Sequence, residues 1–194
     1  YDWGPGNEDE LVQARKIIDN FTINNPGVIK ELIVDRGYLD GKWLGQIKLD
    51  HNIDSLIPLK KNMSNYTDAL EIAKTKSWET IKQKEDDKGN IIYKFSGVYV
   101  EEMKLWDSNK CPQHVYLIKK YFLKKSTGEY KEKIWGLTST RKYSIVMAFN
   151  RYRLRVAIEE RYRQFKYSWN LSKFPSPNEN LMEAYIAFTM ASYS

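Results

Sequence analysis

Tyr152, Arg155, Glu159 and Lys166 are spaced so that a helix would bring a phenol, a guanidinium, a carboxylate and an ammonium to one side. At about 100° per residue, with Tyr152 at zero, Arg155 falls near ~300°, Glu159 near ~340° and Lys166 near ~320°. Arg163 sits close to the same stripe. Leu154, Ile158 and Phe165 fall near ~200–240°, a separate apolar stripe able to face a core. The surroundings are strongly basic. Residues 141–173 hold nine Lys or Arg and two acids, Glu159 and Glu160, whereas residues 1–40 hold eight acids and four bases. A carboxylate among cations suits phosphate chemistry, because the cations neutralise a backbone while the acid ligates a divalent metal. The same spacing also fits a solvated helix in which Arg155 and Glu159 form an ordinary i,i+4 ion pair.

Asp35 is the second candidate acid. It stands where the apolar run of residues 29–34 meets Gly37, at the carboxyl end of a predicted strand. Ligands of open α/β sheets gather at such ends, although an aspartate there is also an ordinary turn or helix-capping residue. The elements that must position the two acids follow from periodicity. Helical spacing covers residues 8–20, and turns fall at Gly4–Asn7 and Asn25–Gly27. A strand at 29–34, a helix at about 41–49 and a strand at 54–59 make an α/β unit with parallel strands.

Residues 66–85 are helical at first and then highly charged. Residues 91–106 and 115–123 alternate as antiparallel strands do, with hairpin turns at Asp87–Asn90 and Ser126–Glu129. A strand at 133–137 leads into one long helix from Tyr143 to about Tyr167, and a last apolar helix spans 181–193. The domain reading is therefore a core in two pieces, 1–60 and 133–194. Between them lies a β-rich insertion, 61–132, that stands apart from the core sheet.

The bulk composition narrows the function. An apolar content of 42% is too high for a wholly disordered chain. The net charge of +6 favours a polyanionic partner. The lone Cys111 excludes an internal disulfide and suits a reducing, cytoplasmic compartment. His51 and His114 are not at metal-ligand spacing. No apolar run reaches the roughly 18–20 residues of a membrane span. The chain opens Tyr1-Asp2-Trp3, without Met or a signal peptide, and reads as a piece of a longer protein.

Tyr152-x2-Arg155-x3-Glu159-x6-Lys166 resembles the Tyr-Arg-Glu-Lys signature of insertion-sequence-four type DDE transposases. Val34-Asp35-Arg36-Gly37-Tyr38 resembles the segment that carries that family's second catalytic aspartate. Pro5-Gly6-Asn7 with Asp9, and Ile57-Pro58-Leu59-Lys60, are similar to two further family segments. The resemblance implies an α/β, RNase H-like catalytic core that binds two Mg²⁺ or Mn²⁺ ions, with a β-rich insertion between the second and third acids. Asp35 and Glu159 would be those acids and metal ligands. Tyr152, Arg155, Lys166 and Arg163 would contact DNA, and Trp135 would be either core or a stacking platform for a displaced base.

Val156 stands where many members carry Trp. The first aspartate is expected upstream of the Pro-Gly-Asn turn, before Tyr1, which would leave this chain inactive alone. The implied reaction is cleavage of transposon ends and strand transfer into target DNA, by a bacterial protein dimeric in its synaptic complex. A metal-dependent nuclease of another class and a non-catalytic, basic nucleic-acid-binding domain are the competing readings.

Overall fold

The computed structural model describes residues 10–103, 111–124, 126–155, 157, 160, 163 and 164. The chain divides into two compact units, Tyr1–Tyr152 and Arg153–Ser194.

The first unit opens with helix α1 (Glu10–Asn24), strand β1 (Glu31–Ile33), helix α2 (Gly41–His51) and strand β2 (Asp54–Pro58). β1 and β2 are parallel, with Glu31 opposite Asp54 and Ile33 opposite Leu56, as the alternation of elements predicts. Local chemistry sets the limits of α2. The Asp40 carboxylate caps its first turn by accepting from the Trp43 amide at 3.0 Å. Asn52 ends it in the left-handed conformation, which asparagine tolerates better than most residues. Burial opposes ionisation of Asp40, but the Trp43 amide and the Arg15 guanidinium outweigh it and hold the pKa below the ordinary value. Arg15 pairs with Asp40 and lies over the Trp43 ring, which ties α1 to α2.

Helix α3 (Ser64–Ala73) precedes four long antiparallel strands: β3 (Glu79–Glu85), β4 (Ile91–Met103), β5 (Gln113–Lys124) and β6 (Glu129–Ser139). Gly89 and Gly128 turn the β3–β4 and β5–β6 hairpins at positive φ, where a Cβ would be strained. The charged half of segment 66–85, ambiguous in sequence, is β3. All six strands form one sheet in the order β1-β2-β6-β5-β4-β3. The strands expected in a sheet apart from the core are hydrogen-bonded into it. β6 pairs with β2 through Leu56–Ser139, Ile57–Thr138 and Pro58–Leu137, and with β5 along its whole length. The reason is the length of β6: residues 129–135 run past the end of β2 and pair only with β5, while the rest reaches the core.

Alternation assigns the two faces. Val98, Val100, Val115 and Leu117 pack against Tyr66, Ala69 and Ala73 of α3. Ile57 of the same face packs against Trp43, Leu44 and Ile47 of α2. The opposite face buries Leu56, Tyr116, Ile118 and Leu137 under helix α4 (Ile145–Arg153), through Ala148 and Phe149. Two polar ties fix the segment entering α4. The Tyr143 amide donates to the Tyr116 hydroxyl at 2.6 Å, and that hydroxyl donates to the Tyr143 carbonyl at 3.2 Å. The Tyr143 hydroxyl donates to Glu31, whose other oxygen accepts from Arg151 at 2.6 Å. Burial pushes the Tyr116 phenol up to about 12. Burial, and then the hydrogen bond and charge of Glu31, raise Tyr143 as well. The helix expected from Tyr143 to about Tyr167 opens as α4, Ile145–Arg153, and the described residues Ala157, Glu160, Arg163 and Gln164 are helical as well. Leu154 is a turn residue, with helical backbone again at Arg155.

Gly97 is where α4 meets the sheet. A Cβ there would lie 2.3 Å from Cγ2 of Ile145 and 2.9 Å from Cδ1 of Ile81. The Ile145 methyl is branched at Cβ and cannot swing away without a rotamer change. Gly97→Ala is therefore expected to destabilise by about 1–3 kcal/mol, which lowers Tm by roughly 2–10 °C in a chain of this size. A thermal melt unchanged within about 1 °C would show that α4 is not seated on this position.

Candidate functional site

β1 ends one residue before Val34, and Asp35 follows in extended conformation at the carboxyl end of the strand. Its Oδ1 accepts from the Arg36 amide at 2.7 Å and caps a single 3-10 turn, Arg36–Tyr38. The capping role foreseen for an aspartate at this point is thus real, and it engages one oxygen of an exposed side chain. Because β2 runs parallel to β1, the chain leaving β2 arrives at the same end of the sheet. Lys60, Lys61 and Asn62 thereby join Asp35, Arg36 and Gly37 around an open cleft of about 630 Å³. Sequence reasoning singled out Asp35 but gave no role to Arg36, Lys61 or Asn62, and read Lys60 only as part of a strand segment. Their signal was topological: in a parallel βαβ unit, the residues just after the second strand lie beside those just after the first.

The remaining site residues distribute as follows. Glu159 and Lys166 lie outside the described residues. Tyr152 is half-buried at the end of α4 and packs on the cluster of Tyr116, Leu137 and Phe149. Arg155, in the second unit, is half-buried. Arg163, also in that unit, is exposed and forms a two-pronged pair with Glu160, at 3.0 Å and 2.6 Å. The hydrogen bond from Arg163 lowers the Glu160 pKa. Trp135 on β6 is half-buried, edge-on to Phe95 with ring centres 6.3 Å apart. The Leu59 amide donates to the Gly136 carbonyl at 2.9 Å, so the turn carrying Lys60 and Lys61 leaves β6 close to Trp135.

Asp35 is a hard oxygen donor of the type Mg²⁺ and Mn²⁺ prefer. A metal needs further ligands, and among the described residues no three of His, Cys, Asp or Glu are grouped to hold one. What the cleft offers by itself is a carboxylate flanked by Arg36, Lys60 and Lys61. Such an arrangement attracts a phosphodiester to the cations and sets an acid beside it. No helix among the described residues is long and apolar enough to cross a membrane.

The mixed α/β architecture, with parallel strands that end at this cleft and a helix-covered mixed sheet, is compatible with an RNase H-like core. No curated protein matches the chain. The family model described as Transposase DDE domain matches residues 1–194, and the chain belongs to that family.

Proposed function

We propose that the chain is the catalytic part of an insertion-sequence-four type transposase that cuts transposon ends and joins them to target DNA. The observation that carries this reading is Asp35 at the carboxyl end of β1, flanked by Lys60 and Lys61 from the end of the parallel strand β2. Family membership supplies the reaction class, transposition by a DDE nuclease.

In the first step, water attacks the phosphorus of a phosphodiester and the 3′-oxygen leaves with a proton. In the second, that 3′-hydroxyl attacks a target phosphodiester and expels another 3′-oxygen, so the number of phosphodiester bonds is conserved. Asp35 and Glu159 are the residues that would hold divalent metal. Two such ions activate the nucleophile and stabilise the leaving oxygen when bound. Lys60 and Lys61 neutralise the phosphates beside the cut and orient the strand. Arg155 and Lys166 contact the backbone, with Tyr152 beside them, and Arg163 exchanges its exposed partner Glu160 for a phosphate. Paired ends require at least two copies of the chain in the reacting complex, acting on DNA in the bacterial cytoplasm.

Asp35→Ala and Glu159→Ala test the core of the proposal. Cleavage of a terminal-repeat duplex by the full-length protein is measured with Mg²⁺ or Mn²⁺. Loss of outer-shell partners alone costs about 10–100-fold, so losing a ligand is expected to cost about 100-fold or more with the fold intact. Retention of wild-type cleavage by Glu159→Ala would sink the assignment.

Arg155→Ala and Lys166→Ala should weaken binding to duplexes of every sequence. Each is expected to reduce the slope of log affinity against log salt by about 0.9. Equal slopes for variants and wild type would remove these residues from the DNA surface.

Trp135, a half-buried indole that precedes the Gly136 carbonyl bonded by Leu59, is the residue we assign to stack on a base displaced at the cut. Trp135→Ala should then impair cleavage of intact duplex ends more than of pre-opened ends. A drop in Tm with both substrates cut alike would leave the indole a packing residue.

A further inference from the structure

Beyond the end of β2, strands β3–β6 continue as two hairpins whose α4-side face carries a distinctive set of side chains. Directly opposite residues of antiparallel neighbours share a face. One row across the sheet reads Lys84, Tyr93, Phe122, Lys131, and the next reads Lys82, Phe95, Lys120, Lys133. Nearer the core the same face passes beneath α4 at Gly97, Ile118 and Trp135, so the open part is the two lysine-bearing rows. The rows are two residues apart along each strand, roughly 7 Å.

The face is cationic without internal neutralisation. Among the described residues none of its five lysines forms an ion pair. The acids of these strands near it stand at its ends: Glu79 opposite Gly97, Glu85 opposite Ile91 and Glu129 opposite Lys124. Glu132 lies on the other face, opposite Tyr121, and pairs there with Lys119. Two of the aromatic rings hold one ammonium group between them. Lys120 Nζ lies 4.9 Å from the centre of the Phe122 ring and 5.6 Å from that of Phe95. A lysine held in this way gives up less freedom when it meets an anion. The face also begins where the candidate site ends, since β2 stops beside Gly136 and the turn bearing Lys60 and Lys61 leaves at that level.

We propose that this lysine-and-aromatic face of β3–β6 is a docking track for the phosphate backbone of the DNA that enters the Asp35 cleft. The inference rests on the transposase reading and extends it to residues outside the Asp35 cleft. Because Lys120 lies over the Phe95 and Phe122 rings and the other four charged side chains of the set are lysines, recognition is through phosphate charge and is indifferent to base sequence.

The test measures binding of the chain itself to a 30-base-pair duplex of random sequence across a salt series. The variant K120Q/K131Q/K133Q removes three charges from the track at strand positions that keep their pairing. It is expected to lower the salt slope by roughly 2–3 and the affinity at 0.1 M salt by about 10–100-fold. A matched variant, K16Q/K42Q/K74Q, removes the same charge from exposed positions on α1, on α2 and just after α3, and is expected to change the slope by less than about 1. An unchanged slope in the track variant overturns the proposal. Equal losses in both variants also overturn it, because net charge alone would then explain binding. If the track variant is unchanged while R155A/K166A lowers the slope, the track fails and the transposase reading stands. If the wild-type chain shows no salt-dependent binding, both fail. Circular dichroism melts within about 3 °C of wild type confirm that the variants are folded.

Discussion

Three pairings between β2 and β6 hold the first unit together. Leu56–Ser139, Ile57–Thr138 and Pro58–Leu137 are the seam at which a parallel βαβ unit meets an antiparallel meander. Side chains fasten the end of that seam. The Ser55 amide donates to the Thr140 hydroxyl at 3.0 Å, and that hydroxyl donates to Asp54 at 2.9 Å. Lys48 of α2 reaches the same Asp54 oxygen at 2.8 Å. The helix between the parallel strands and the end of the meander are thus tied to one carboxylate. Everything that positions the cleft depends on this seam: it fixes where β2 ends, and so where Lys60 and Lys61 arrive beside Asp35.

The seam also decides which face each helix can cover. Ile57 and Thr138 turn toward α2 and α3, and Leu56 and Leu137 toward α4. A one-residue slip would exchange the two faces and expose both cores. The buried Thr138 hydroxyl donates to Gln113 at 2.8 Å, which adds a polar pairing to the same register. The candidate site therefore rests on a sheet whose alignment is determined several times over, which suits the role proposed for the cleft, since chemistry on a bound substrate requires precise positioning.

Much of this was legible in the residues. The apolar run ending at Asp35, the helical spacing after Gly41 and the second run at 54–59 predict the βαβ unit, because each pattern is local. The glycine turns at Gly89 and Gly128 were equally plain, since few other residues tolerate positive φ. Two things were not legible. Segment 66–85 splits into α3 and a charged edge strand because β3 finds a partner in β4, and pairing with a strand elsewhere leaves no mark on local periodicity. The union of the meander with the core sheet was hidden for the same reason: residues 129–139 read as a turn and a short strand, whereas they are one strand shared by two neighbours. At the site, Asp35 was found from its place at a strand end, while Lys61 and Asn62 became visible only once two strand ends lay side by side. Glu159 is proposed from spacing and family resemblance alone, on a stretch outside the described residues.

β6 has a consequence for modularity. Leu137, Thr138 and Ser139 are all but fully buried because β2 lies on one flank and β5 on the other. Taking out the segment between β2 and β6 would strip away β5 and turn the seam into a sheet edge. Core residues would then face water, and unpaired amides would be open to another chain. The meander is therefore not a cassette that evolution or an engineer could lift out between two compatible ends. It can lengthen, shorten or change its surface at the distal hairpins, but its base is held in common with the fold that carries the cleft.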